Sequence, residues 1–206
     1  RILYRFLPRT VAANPVLYAT VGAFALFNIS IQIFMPYLII YYEVSLGMAD
    51  YVLVMAPAII VASVATAFYG RLYDRFGFTR SVVPALLLLL AGYGVLYFCR
   101  ATVPVCIGSL LMMSGYLCGM AVFGAMIRDK TPEGKAGMFQ GLRIFAQVLI
   151  PGIIGPAIGA AVLKNAEMIT NNDGTQSFLP NENIFLAALV AIIVIVPFVI
   201  LVCRMK

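Results

Sequence analysis

Uncharged hydrogen-bonding side chains interrupt long apolar stretches of this sequence at helical spacing. Asn28 and Gln32 lie four residues apart and would therefore share one face of a helix. Gln147 has the same spacing from Arg143, which is charged. Amide groups both donate and accept hydrogen bonds, which suits a hydroxylated or zwitterionic ligand. The residues that we predict to contact such a substrate are Asn28, Gln32, Tyr37, Tyr116 and Gln147.

These side chains have structural alternatives. Interhelical hydrogen bonding is the alternative role for Asn28, Gln32 and Gln147, because polar side chains also join helices inside membranes. Arg143 has the alternative of anchoring a loop, and Tyr116 that of packing. The sequence alone leaves both sets of roles open.

Other kinds of chemistry have little support in the sequence. It contains no His and four Cys, none in a CxxC spacing, so we expect no metal site, no cofactor and no disulfide framework. No nucleophile or buried acid–base pair is evident, so we do not expect an enzyme. No acidic residue lies deep in an apolar stretch, although ion coupling in membranes usually needs a buried carboxylate. If the chain moves a solute across a membrane, either ion coupling depends on groups outside this chain or the movement is uncoupled.

The elements that must carry these residues are membrane helices. Of the 206 residues, 63% are hydrophobic and 11% charged, whereas a soluble domain carries about a quarter charged residues. A bilayer core needs about 20 apolar residues per helix. The sequence predicts an all-α transmembrane protein in which residues 1–206 form a single six-helix bundle. The predicted spans are about 16–42, 51–70, 81–99, 103–127, 138–163 and 183–203.

The distribution of basic residues predicts the orientation. Twelve of the 14 Lys and Arg residues fall at the two termini and in or beside the second and fourth connections, and only Arg100 and Lys164 fall on the other side. We therefore predict a multi-pass protein of the cell membrane with both termini cytoplasmic. The basic residues form no stripe interleaved with aromatics, so nucleic acid is not an expected partner. The long connection from about Lys164 to Glu182 should be a solvated outer loop.

One predicted cytoplasmic connection carries a family resemblance. The segment from Gly70 to Arg80 reads GRLYDRFGFTR. It resembles the signature loop between the second and third helices of each half in the major facilitator superfamily. The resemblance implies a conformational latch, in which the matching residues are Gly70, Asp74, Arg75 and Gly77.

The next cytoplasmic connection, from Ile127 to Arg143, is similar to the corresponding loop of the glycoside–pentoside–hexuronide:cation symporters, the melibiose-permease-like branch. It adds Arg128, Asp129 and Arg143 to the predicted latch. An Asp129 carboxylate is expected to pair with Arg71 or Arg75 across the two connections.

A third match bears on the direction of transport. The run from Gly155 to Gly159 contains the Gly-Pro-x-x-Gly core that is similar to a motif of facilitator-superfamily antiporters. Ala160 stands where a further Gly usually follows in that motif. Close helix packing with a kink is the alternative reading of these glycines.

Together these features predict the C-terminal six-helix half of a secondary transporter. Its substrate would be a small polar organic solute, with a sugar or glycoside favoured, moved by alternating access. A drug or organic-ion efflux antiporter is the alternative, and a non-transport membrane assembly or channel is a second one. The expected partners are the substrate, the lipid bilayer and a second six-helix bundle. That bundle would be either the N-terminal half or a second copy in a parallel C2 dimer.

Overall fold

The computed structural model of the chain describes residues 14–48, 50–132, 134, 136–170 and 174–205. Several residues used in the predictions lie outside the described residues. They are Arg1, Arg5, Arg9, Lys135 and Lys206, on which the predicted orientation partly depends, and Asn171, Asn172 and Asp173 of the predicted outer loop.

Helices dominate the described chain. They are α1 (Pro15–Phe34), α2 (Leu38–Ile40), α3 (Tyr51–Phe98), α4 (Thr102–Lys130), α5 (Ala136–Ile144), α6 (Ile150–Val162) and α7 (Asn183–Arg204). A 3₁₀ turn, Met35–Tyr37, joins α1 to α2, and π turns follow α2 at Tyr41–Ser45 and α5 at Phe145–Leu149. The 3₁₀ turn contains Pro36, which lacks the amide hydrogen that an α-helix would use there.

Within the described residues, five helical stretches are long and apolar enough to cross a membrane. Their outer surfaces are also apolar: Leu53, Ile60 and Phe68 expose 73%, 64% and 62% of their surfaces. A soluble monomer rarely exposes large continuous patches of this kind, whereas in a membrane lipid chains or a second helical bundle can cover them. The protein is therefore an all-α membrane protein.

The longest helix, α3, reverses direction near its middle. Its 48 residues would extend about 72 Å if straight, more than twice a bilayer core of about 30 Å. Gly77 is non-helical, with φ 72° and ψ −178°, and divides α3 into a first arm (residues 51–76) and a second arm (residues 78–98). Positive φ with extended ψ is essentially restricted to glycine, so this residue permits the break.

Contacts with α4 show that the two arms run in opposite directions. Along the first arm, Thr66 meets Cys118 and Tyr73 meets Asp129, so this arm is parallel to α4. Along the second arm the order is inverted, because Leu89 lies against Gly115 and Gly92 against Met112. The predicted segment 51–70 lies within the first arm, and the predicted segment 81–99 lies within the second arm except for Cys99. The predicted loop between them is helical on both sides of Gly77, which corrects the expectation of an irregular connection.

Two glycines allow the second arm and α4 to approach closely. A Cβ atom at Gly92 would lie 2.5 Å from the backbone nitrogen of Met112, and one at Gly115 would lie 2.5 Å from that of Leu89. Van der Waals packing of this kind is a main source of helix association in lipid, where the hydrophobic effect between helices is absent.

The centre of the bundle is α1, most of whose residues are buried. Its aromatic side chains pack against three other elements: Phe27 against Phe123 of α4, and Phe34 against both Tyr93 of the second arm and Phe185 of α7. A hydrogen bond of 2.9 Å between the hydroxyls of Ser30 and Tyr93 adds a polar link inside this core.

The connection after α6 contains a small β-hairpin. Strands β1 (Met168–Thr170) and β2 (Gln176–Phe178) pair antiparallel, with Met168 opposite Phe178. The predicted connector is therefore partly ordered by main-chain hydrogen bonds.

Candidate functional site

Two cavities lie beside the Gly77 turn, where the first arm, α4 and α5 approach one another. The larger measures about 420 Å³, and the residues that line it include Gly70, Asp74, Arg128 and Arg143. The smaller measures about 290 Å³ and is lined in part by Asp74, Gly77 and Asp129. Six of the seven residues predicted as a latch therefore lie around two neighbouring cavities. We call this group the Gly77 cluster: Gly70, Asp74, Gly77, Arg128, Asp129 and Arg143.

The seventh latch residue, Arg75, lines neither cavity. Its guanidinium carbon lies 5.2 Å from the centre of the Phe76 ring. Arg71 makes a similar contact with Phe68, at 5.8 Å. Both arginines thus lie along the first arm itself and are held by neighbouring aromatic rings.

The expected pairing of Asp129 with Arg71 or Arg75 is wrong. The Tyr73 hydroxyl donates a hydrogen bond of 2.8 Å to Oδ2 of Asp129, and Nε of Arg128 donates one of 3.2 Å to Oδ1. The side chain that joins the two helices is therefore a tyrosine that the sequence analysis missed. A sequence signal existed, because Tyr69 and Tyr73 lie four residues apart and so share one face of the helix.

Asp74 differs from Asp129 in having no polar partner among the described residues. It is exposed, borders both cavities, and forms no hydrogen bond or ion pair with any described residue. A carboxylate in this position is available to a donor that arrives from elsewhere, such as another bundle.

Arg143 approaches the larger cavity from the other side. It lies in the last turn of α5, and its Nε donates a hydrogen bond of 3.1 Å to Oε1 of Gln147. Gln147 lies within the π turn Phe145–Leu149. Such turns inside helices are frequent at functional sites. The pair confirms the expected shared face of these two residues.

The predicted substrate residues on α1 differ in how their polar atoms are used. Asn28 is 3% exposed, and its Nδ2 donates a hydrogen bond of 2.9 Å to the carbonyl of Phe24, one turn earlier. Gln32 is partly exposed and forms no hydrogen bond with a described residue. Asn28 is therefore partly satisfied by its own helix, whereas the Gln32 amide remains available.

Of the other predicted substrate residues, Gln147 contacts the Gly77 cluster through Arg143, whereas Tyr37 and Tyr116 line neither of its cavities. Tyr37 and Tyr116 are partly buried, and neither forms a hydrogen bond with any residue in the described ranges. The two cavities and the apolar groove described below are not lined by any of the predicted substrate residues, Asn28, Gln32, Tyr37, Tyr116 and Gln147. Their contact with a substrate stays a prediction.

The glycines of the Gly-Pro-x-x-Gly run allow α6 to pack against α1 and the 3₁₀ turn that follows it. A Cβ atom at Gly155 would lie 2.4 Å from Cβ of Gln32, and one at Gly159 would lie 2.5 Å from the carbonyl oxygen of Ile33. Helix packing therefore accounts for these two glycines.

The opposite end of the bundle has its own polar contacts. Arg100, between α3 and α4, forms an ion pair with Glu182, which precedes α7. Ser45, at the end of the first π turn, donates a hydrogen bond to the carbonyl of Pro180. Within the described ranges, no three His, Cys, Asp or Glu residues come together as possible metal ligands.

Comparison of the chain with protein-family models finds no match, and comparison with curated proteins finds none either.

Proposed function

We propose that this chain is one six-helix half of a secondary transporter of the major facilitator type. Its substrate would be a small polar organic solute, with a sugar or glycoside favoured as in the melibiose-permease-like branch. Transport would proceed by alternating access, in which this bundle rocks against a second one and opens a central site to each side of the membrane in turn.

The observation that carries this proposal is the Gly77 cluster. Residues 54 or more positions apart in sequence, such as Asp74 and Arg128, border one cavity beside the turn that joins the two arms of α3. A latch requires polar groups that lie close together at one end of the helices, with some of them free to bond to another partner. Asp74 belongs to such a group, is exposed and has no partner among the described residues.

The reversal of α3 supports the count of six crossings. Each arm is long enough to cross a bilayer core of about 30 Å at 1.5 Å per residue. With α1, α4, α7 and the helical stretch Gln140–Val162, the two arms would give six membrane-length rods. Among the described residues, seven basic side chains then fall on the side of the Gly77 turn and two, Arg100 and Lys164, on the other side. We infer that the side of the Gly77 turn is cytoplasmic.

Incomplete coverage of the bundle supports the need for a second bundle. On the first arm, only Val54, Ala58, Ala62 and Tyr73 are buried, which leaves most of its circumference exposed. On α6 only Pro151, Gly155 and Gly159 are buried. We propose that these two helices border the substrate path, where the N-terminal half or a second copy completes the cavity.

Solute flux in proteoliposomes tests the proposal. The intact protein is reconstituted, and uptake of radiolabelled melibiose is measured with and without an inward sodium or proton gradient. We expect uptake above that of protein-free vesicles, and a loss of at least about tenfold in Asp74→Asn. The matched control is Asp50→Asn, since Asp50 is also exposed but lies before the first arm, away from the turn.

Each other outcome has a distinct meaning. Extrusion of ethidium without melibiose uptake would favour the antiporter, and passive ion conductance without solute uptake would favour a channel. Equal uptake by Asp74→Asn and Asp50→Asn would contradict the latch. For the predicted substrate residues, Gln32→Ala should reduce uptake more than Asn28→Ala, because the Asn28 amide is already bonded to its own helix.

A further inference from the structure

A long apolar groove runs along the outside of the bundle between three helices. Leu26, Ile29 and Ile33 of α1 form its floor, residues 154–162 of α6 form one wall, and residues 183–194 of α7 form the other. Its volume is about 700 Å³, which is within the range of small-ligand sites. The groove shares no residue with the Gly77 cluster.

We propose that this groove binds an acyl chain of a membrane phospholipid. The proposal depends only on the membrane location of the protein and goes beyond the transport function. Aliphatic side chains line the groove almost completely, and Asn183 is the only polar residue among them. A polar solute would find no hydrogen-bonding partners along its length, whereas a hydrocarbon chain needs none.

The length of the groove matches one leaflet of a bilayer. From Asn183 to Val194, α7 rises by roughly 16 Å at 1.5 Å per residue, which is about half of a hydrocarbon core of about 30 Å. The groove begins at the first residue of α7 and ends near the middle of that helix. An acyl chain that extends from the membrane surface to the midplane would therefore occupy its full length.

The polar end of the groove fits the headgroup of the same lipid. Asn183 lies at this end, and Lys164 follows Val162 by two residues. Lys164 is exposed and forms no ion pair with any described residue. An ammonium group at the membrane surface attracts a lipid phosphate. The groove thus has the apolar and polar ends of a phospholipid in the matching order.

Photo-crosslinking in proteoliposomes tests this site in the intact protein. The probe is phosphatidylcholine with a diazirine in the middle of one acyl chain, at low density in vesicles of unlabelled phosphatidylcholine. Adducts are mapped by mass spectrometry of peptides. We expect adducts on residues 154–162 and 183–194 to exceed those on Val83 and Leu87 of the second arm several-fold, although the latter are 48% and 58% exposed.

Filling the groove supplies the second readout. Ala187→Phe with Ala191→Phe places two rings inside it and should lower the adducts there several-fold. Ala91→Phe is the matched control on an exposed face of the second arm and should leave them unchanged. Adducts that simply follow exposed area in the parent protein would overturn the proposal, whether or not the filled variant folds. Crosslinks to a second copy from a photoreactive amino acid placed at Ala187 would overturn it as well.

Discussion

The break at Gly77 makes a quantitative prediction about stability. Its φ of 72° with ψ of −178° lies in a region that is almost closed to residues with a Cβ atom. Gly77→Ala should therefore lower the free energy of unfolding by about 1–3 kcal/mol, the usual cost of such a conformation. That range corresponds to a roughly 5- to 150-fold change in the unfolding equilibrium. A helical conformation at residue 77 would straighten α3, so that its two arms could no longer both pack on α4. The variant therefore cannot relieve the strain without losing these contacts.

A buried thiol provides the assay. Cys118 on α4 is fully buried and lies beside Thr66 of the first arm, so its labelling by a thiol-reactive dye reports opening of this helix pair. The background replaces the remaining cysteines, Cys99, Cys106 and Cys203, with alanine. Labelling is followed against denaturant in micelles. Gly70→Ala is the matched control, because Gly70 is helical and a Cβ atom there meets nothing within 4 Å. It should be neutral or slightly stabilising, since alanine favours helices. Equal free energies of unfolding for Gly77→Ala and Gly70→Ala would refute this prediction.

Two further predictions use the same assay. Tyr73→Phe removes the hydroxyl that bonds to Asp129 and should lower the free energy of unfolding by about 0.5–1.5 kcal/mol; no change would mean that Arg128 and water replace the bond fully. Gly115→Ala forces a Cβ atom to within 2.5 Å of the Leu89 nitrogen and should cost about 1–3 kcal/mol, as overpacking does. Gly124→Ala on the same helix meets nothing within 4 Å and is its control; similar losses in both variants would contradict the close contact.

The helices were largely predictable because bilayer thickness fixes the length of each apolar run. The described ends of α4 and α7 lie within three residues of the predicted limits, at Thr102–Lys130 and Asn183–Arg204. The turn within α3 was less predictable. Residues 71–76 include three charged and two aromatic side chains, which indicated a loop, but none of the six residues is incompatible with a helix. The break lies at Gly77, because only glycine readily adopts its positive φ, whereas Gly70 is helical.

The predicted partner of Asp129 was wrong because it was chosen by opposite charge and not by its position around the helix. On the first arm, Val54, Ala58 and Ala62 are buried and define the face that meets the bundle. At 3.6 residues per turn, Tyr73 lies within about 20° of Ala62 around the helix, whereas Arg75 is two positions further and therefore about 200° from Tyr73, on the far side. Position on the helix decides the partner here, and the opposite charge of an arginine does not.

Hydrogen bonds within single helices limit what polar residues in the spans reveal about function. The hydroxyls of Ser63 and Thr66 donate to carbonyls four residues earlier, each at 2.7 Å, and the Asn28 amide does the same. Such bonds satisfy a polar side chain in lipid without a ligand or a second helix, so its presence in a span is weak evidence of a binding site. Gln32 lacks this internal satisfaction among the described residues and remains partly exposed. Its amide groups would gain hydrogen bonds from a substrate without first breaking one, and this difference ranks it above Asn28 as a substrate contact.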